Sequence, residues 1–178
     1  MPEPEFLVTP ARGHGVTVGY LQPASLGVDR FLGLVAAQAD AVAPCIVIDC
    51  GTAVTIDGLE ASGRHRGGLI LPGLELAVSS LTAGTAALPI ATAGSVEPSP
   101  FARSTSAAID FGIRLGLAGA IERICDDIAE QLGSSVARIL TGGASGMLLP
   151  LLRSDYRHDP HLVLRGMAVV ARETECVS

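Results

Sequence analysis

Lysine, asparagine and tryptophan are absent from this 178-residue chain, so all twelve of its basic residues are arginines. The missing lysine excludes a Walker phosphate loop, whose lysine must reach the phosphates. It also excludes pyridoxal-phosphate chemistry, which needs a Schiff-base lysine. Cys45, Cys50, Cys125 and Cys176 have no Cys-x-x-Cys spacing, and they read as the reduced thiols of a cytoplasmic protein. No apolar run reaches the roughly 18 residues of a membrane span. The opening Met1-Pro2-Glu3-Pro4-Glu5 is acidic and proline-rich, the opposite of a signal peptide. Neither a membrane nor a secretory route is therefore expected. A net charge of −6 and a pI near 5.1, with no basic patch, argue against duplex nucleic acid as a partner. They leave room for a small anion held by backbone amides. There is no Gly-x-Ser-x-Gly elbow.

What is present points to a well-filled core. Hydrophobic residues make up 48% of the chain, charged ones only 17%, and mean hydropathy is +0.46. The length suits one domain or two small lobes.

The apolar period changes along the chain. Val16 to Tyr20 is β-like, and Asp29 to Ala41 is helical, with Phe31, Leu32, Val35 and Ala36 on one face before Pro44. Cys45-Ile46-Val47-Ile48 is a continuous apolar run, expected of a strand buried on both faces. Thr52 to Asp57 alternates and predicts a hairpin back along it; Gly68 to Leu71 predicts a third strand. Leu74 to Leu81 reads as a short helix, and residues 84–104 as an exposed excursion. Thr105 to Leu132 is the longest helical pattern, with Gly112, Gly116 and Gly119 placed for close packing within the fold or in a dimer. Val136 to Leu140 predicts a strand and Ser145 to Leu152 a helix; Leu162 to Leu164 predicts a last strand and Met167 to Arg172 a last helix.

Three segments carry candidate chemistry. In Asp49-Cys50-Gly51-Thr52-Ala53-Val54-Thr55-Ile56-Asp57, a carboxylate ends a buried strand and meets a Gly-Thr turn. Gly51 lets the backbone approach a ligand, and its neighbours can aim N–H groups at an anion beside a bound cation. An ordinary hairpin with a solvated aspartate has the same pattern. Thr141-Gly142-Gly143-Ala144-Ser145-Gly146 follows a strand and precedes a helix, which suits a nucleotide at a helix N-terminus or a plain connector. Gly27-Val28-Asp29-Arg30 offers a base and an anion clamp side by side, or a helix cap with a surface ion pair. His158 and His161, near Asp155 and Asp159, lack a second cluster at ligand spacing and are expected in a solvated loop. His14 and His65 are isolated, and surface positions are expected for both.

Taken in order, these segments resemble type III pantothenate kinases. The residues that carry the resemblance are Tyr20, Leu26 to Arg30, Asp49 to Asp57, Gly67-Gly68-Leu69-Ile70-Leu71-Pro72-Gly73, Ser104 to Ile109 with Gly112, and Thr141-Gly142-Gly143. The resemblance implies an α/β chain of the acetate-and-sugar-kinase, heat-shock-protein and actin superfold (ASKHA), which is ribonuclease-H-like. It also implies ATP-dependent phosphorylation of pantothenate in coenzyme A synthesis. By the same resemblance, Asp29 is the catalytic proton acceptor. Tyr20, Gly27, Val28, Asp29, Arg30 and Thr105 bind pantothenate. Gly51, Thr52, Thr141, Gly142 and Gly143 bind ATP. Asp49 holds a monovalent cation, potassium or ammonium, and magnesium comes with ATP. Family members are homodimers.

Two departures from the family pattern stand out. Ser104 replaces the usual asparagine, and the Asp-x-Gly-Asn-Thr phosphate turn of the first lobe has no counterpart in a chain without asparagine. The expected division is therefore a remnant of the first lobe over residues 1–43 and a complete second lobe over 44–178. The alternative expectation is a truncated, non-catalytic family member acting as a binding or regulatory accessory protein.

Overall fold

A computed structural model describes residues 6–83, 98–133 and 135–175. Most of the excursion expected over 84–104, the acidic N-terminus and Cys176 lie outside the described residues. The chain opens with a short ribbon, β1 (Arg12–Gly13) and β2 (Val16–Thr17). The strand expected to reach Tyr20 stops at Thr17, and a 3-10 turn follows at Pro23–Ser25. Helix α1 spans Val28–Ala39 and buries every residue from Arg30 to Ala37. A helix apolar on all sides belongs between two layers. α1 has the sheet on one side and α5 (Leu162–Glu175) on the other.

The sheet is built from β3 (Cys45–Cys50), β4 (Ala53–Leu59), β5 (His65–Pro72), β6 (Ala137–Thr141) and β7 (Arg157–His158). Its order is β5-β4-β3-β6-β7. β3, β4 and β5 form an antiparallel meander, whereas β6 and β7 lie parallel to β3. α2 (Leu74–Ala83) and α3 (Thr105–Leu132) cross from β5 to β6, and α4 (Ser145–Leu148) leads towards β7. The sheet is therefore mixed and the chain is α/β, as expected.

Alternation along β3 sends its side chains into two cores. Cys45 and Val47 join Phe31, Leu34, Val35 and Leu162 under α1 and α5. Ile46, Ile48 and Cys50 join Leu117, Ile121, Cys125 and Leu148 under α3 and α4. α3 begins at the residue its pattern predicts because Ser104 caps it: the Ser104 hydroxyl accepts from the Ala107 N–H.

Two expectations need correction, and a third loses one of its two alternatives. The run Leu162–Leu164 opens α5 and is not a strand. Three apolar residues carry no period that separates the two states, and the start is set by Asp159, whose carboxylate accepts from the His161 N–H at 3.2 Å. The last strand is instead the polar pair Arg157–His158, which gives no hydrophobic signal. The helix expected to reach Leu152 ends at Leu148 and tightens to a 3-10 turn over Leu149–Leu151, where Pro150 has no N–H to continue the ladder. Finally, a Cβ at Gly112, Gly116 or Gly119 would meet no described atom within 4 Å. Those glycines are not packed within the fold as described.

Candidate functional site

Asp49 is not where the strand breaks. It sits inside β3, paired with Thr55 on one side and Thr141 on the other. The turn itself is Gly51–Thr52, closed by the Gly51 N–H on the Ala53 carbonyl at 3.0 Å. The second glycine turn, Thr141–Gly143, leaves β6 next door. The Ala144 N–H donates to the Cys50 carbonyl at 2.9 Å and ties the two turns together. Both therefore lie at the carboxyl ends of adjoining parallel strands, beside the point where the sheet changes from parallel to antiparallel. Open α/β sheets bind ligands at such edges.

Gly142 has φ +92°, and a Cβ there would meet the Asp49 carboxylate and lie 2.6 Å from the Cys50 backbone nitrogen. Only glycine lets the turn close over Asp49. Gly142→Ala is expected to cost about 1–3 kcal/mol of stability through backbone strain and to displace Asp49. Urea unfolding measures the first effect, and nucleotide affinity registers the second. An alanine variant with unchanged stability and affinity would contradict this placement.

The Asp49 carboxyl is pushed above the usual carboxylate range, first by burial and then by the negative charge of Asp29. The charge at the α1 start thus reaches the end of β3. Asp29 is exposed in the first turn of α1, where the helix dipole favours an anion. Its Oδ1 accepts from the Arg30 N–H at 2.9 Å. Gly27 is the helix cap residue, and Val28 begins the helix.

Arg30 makes no surface pair with Asp29. Its side chain turns inward: Nε donates to Asp57 Oδ2 at 2.8 Å and Nη2 to Asp57 Oδ1 at 2.7 Å. Nη1 donates to the Tyr20 hydroxyl at 2.8 Å. Burial lowers the Arg30 pKa, but the hydrogen bonds and charge of Asp57, with the Tyr20 hydroxyl, carry it above its ordinary value. Half-buried Tyr20 lines a cavity of about 790 Å³ together with Gln22, Ser25, Arg66, Leu69 and Ile128.

The sequence assigns no separate role to Asp57 or His65, yet the two pair beneath Arg30. His65 is fully buried rather than at the surface, and its Nε2 lies 2.8 Å from Asp57 Oδ1. The available signal was an aspartate in an otherwise apolar, alternating strand, where burial demands a partner. His158 is likewise in a strand, not a loop. Its Nε2 lies 2.9 Å from the Ser145 hydroxyl, which donates to the Gly142 carbonyl at 2.6 Å and so braces the second turn. His161 is exposed, as is Thr105 at the first turn of α3. His14 Nδ1 lies 2.6 Å from Glu173 on α5.

A mixed α/β sheet carries two glycine turns at its parallel strand ends, one of them closing over a carboxylate, at the edge where open α/β sheets bind ligands. The sequence model for type III pantothenate kinase matches residues 2–127, and the chain belongs to that family. A type III pantothenate kinase of Nitrosococcus oceani is 42% identical over 179 residues, covering 98% of this chain and 67% of the relative. One of Halorhodospira halophila is 41% identical, covering 92% and 63%. One of Thiobacillus denitrificans is 44% identical, covering 94% and 67%. The chain thus spans about two thirds of the length of these curated relatives, 63–67%. Among solved structures, a Baf family transcriptional activator from Campylobacter jejuni superposes with TM-score 0.65 at 24% identity, covering 91% of this chain and 70% of that one. That likeness shows the fold.

No described helix is long and apolar enough to cross a membrane. Cys45, Cys50 and Cys125 are buried free thiols, and burial alone raises the Cys45 pKa to about 12.

Proposed function

We propose that this chain performs the ATP-dependent phosphorylation of pantothenate to 4'-phosphopantothenate, the first step of coenzyme A synthesis, in the cytoplasm. The observation that supports this reading is the convergence of Asp29, Asp49 and the two glycine turns at one edge of the sheet. In this reading residues 44–178 form the second, complete lobe of the superfold, and residues 1–43 belong to the first. The chain acts as a homodimer, for which the open glycines of α3 provide a surface.

Asp29 orients the pantothenate hydroxyl and takes its proton as the phosphoryl group transfers. Tyr20, Gly27, Val28 and Thr105 bind pantothenate, and Arg30, expected as an anion clamp, instead holds the Tyr20 hydroxyl from inside the fold. Gly51, Thr52, Thr141, Gly142 and Gly143 receive the phosphates of ATP, which brings magnesium as part of the substrate. Phosphoryl transfer rests on positioning and charge compensation. A chain without lysine must draw that compensation from arginine, backbone N–H groups and bound cations.

Asp49 fits a monovalent cation. Among the described residues no arginine or histidine pairs with it, and burial, then the Asp29 charge, raises its pKa. When bound, potassium or ammonium would offset the two carboxylates next to the phosphates. No group of three or more His, Cys, Asp or Glu residues among those described is arranged to hold a metal ion.

The test is ADP release coupled to pantothenate, with magnesium and potassium present. Replacing potassium by sodium is expected to lower turnover several-fold, and indifference to the exchange would remove Asp49 as the cation ligand. The raised Asp49 pKa also sets a pH dependence. Protons compete with the cation, so apparent potassium affinity falls as pH drops, beginning above the pH at which an ordinary aspartate protonates.

A second reading is a family member that binds without turnover and serves as an accessory protein. A folded chain that binds pantothenate or ATP and releases no ADP would support it.

A further inference from the structure

Asp57 is almost fully buried, yet three donors converge on its carboxylate: Arg30 Nε, Arg30 Nη2 and His65 Nε2, at 2.8, 2.7 and 2.8 Å. The side chains of Arg30, Asp57 and His65 are 5%, 2% and 0% exposed. Asp57 is an acceptor, so we assign the imidazole hydrogen to Nε2. His65 Nδ1 is buried and has no hydrogen-bond partner among the described residues. His65 is thus a third donor to Asp57, through Nε2, beside the Arg30 fork. Gly68 adjoins this group, and a Cβ there would run into the Asp57 carboxylate and lie 2.8 Å from its Cγ.

A buried ion pair stabilises a fold weakly compared with apolar residues of the same volume. Its distinctive property is direction. The Arg30 fork is planar and rigid, so fixing two nitrogens on Asp57 fixes the third. That third nitrogen holds the Tyr20 hydroxyl, and the Arg30 guanidinium carbon lies 5.5 Å from the Tyr20 ring centroid. The Tyr20 ring in turn sits 5.6 Å from the His65 ring. Four segments meet here: the loop before α1, the α1 start, β4 and β5.

We propose that Asp57 and His65 are positioning residues for the acceptor end of the site: His65 fixes Asp57, Asp57 aims Arg30, and Arg30 sets Tyr20 and the α1 turn bearing Asp29. The proposal rests on the pantothenate reading above for its substrate and on the geometry alone for its mechanics.

The test uses His65→Leu, which removes the donor at similar volume, and His65→Gln, which restores an N–H donor. Calorimetry on the full chain measures pantothenate and ATP affinities separately, with thermal unfolding alongside. His65→Leu is expected to weaken pantothenate about tenfold and ATP less than twofold, and His65→Gln to recover most of the loss. In a Tyr20→Phe background, His65→Leu should add little, since coupled residues are non-additive. Equal loss of both ligands, loss that simply tracks thermal stability, or full additivity with Tyr20→Phe would overturn the proposal.

A second readout needs no ligand. Tyr20 and Tyr156 are the only tyrosines, so in a Tyr156→Phe background the ¹³C ring resonances of Tyr20 stand alone. His65→Leu is expected to shift and broaden them, and unchanged resonances would overturn the proposal whatever pantothenate does. Failure of the parent chain to bind pantothenate, with the Tyr20 resonances responding as expected, would sink the substrate reading and keep the positioning. Should His65→Leu not fold, His65→Asn, whose amide stops short of Asp57, is measured in its place.

Discussion

Asp29→Asn is expected to reduce ADP release about 10²–10⁴-fold, the usual contribution of a positioned general base. The size follows from what the substitution keeps and removes. Asparagine retains an oxygen that can accept from the Arg30 N–H, as Asp29 Oδ1 does at 2.9 Å. It can still hold the substrate hydroxyl, but it cannot take its proton. Asp29 is exposed, so stability should move by less than about 0.5 kcal/mol. Removing one of two facing carboxylates also relieves Asp49, whose pKa Asp29 helps to raise. Pantothenate affinity should therefore stay within a few-fold of the parent chain while turnover collapses. A coupled ADP assay and calorimetry read the two quantities separately. Activity retained within threefold would remove Asp29 as the base.

The legible part of this molecule was whatever a local period or a turn residue encodes. α3 runs from Thr105 to Leu132 as the apolar spacing predicts, because Ser104 caps one end and Gly133, at φ 117°, closes the other. The β3–β4 hairpin was equally plain, since a two-face buried run met a Gly-Thr turn and then alternation. Both glycine turns were singled out, but their adjacency was not readable. It depends on β6 inserting beside β3 with Asp49 opposite Thr141, a pairing across about ninety residues of sequence. Arg157–His158 gave no strand signal, because a short polar edge strand is defined by its neighbour rather than by its own residues. Arg30 shows the same limit from another side. Beside Asp29 in sequence it looked like half of a local pair, yet a helix puts successive residues 100° apart. That rotation sends Asp29 to the site and Arg30 into the core, towards Asp57 on β4.

The second large effect belongs to that core. Asp57→Ala is expected to destabilise the chain by about 3–5 kcal/mol, because it leaves the buried Arg30 charge uncompensated. At roughly 2–4 °C per kcal/mol for a chain of this size, the unfolding temperature should fall by about 6–20 °C. The loss comes mostly from the orphaned guanidinium and only in part from the missing hydrogen bonds. Arg30 is 7% exposed, so water cannot replace both Asp57 oxygens without opening the α1–β4 contact. The double variant Arg30→Met with Asp57→Leu separates these causes. With no charge left to bury, it should recover most of the lost stability while pantothenate affinity stays low, since nothing then holds Tyr20. Thermal unfolding and calorimetry on the three proteins decide the matter. A double variant no more stable than Asp57→Ala would mean that the pair itself holds the fold, and one that also regains pantothenate affinity would mean that Tyr20 needs no such support.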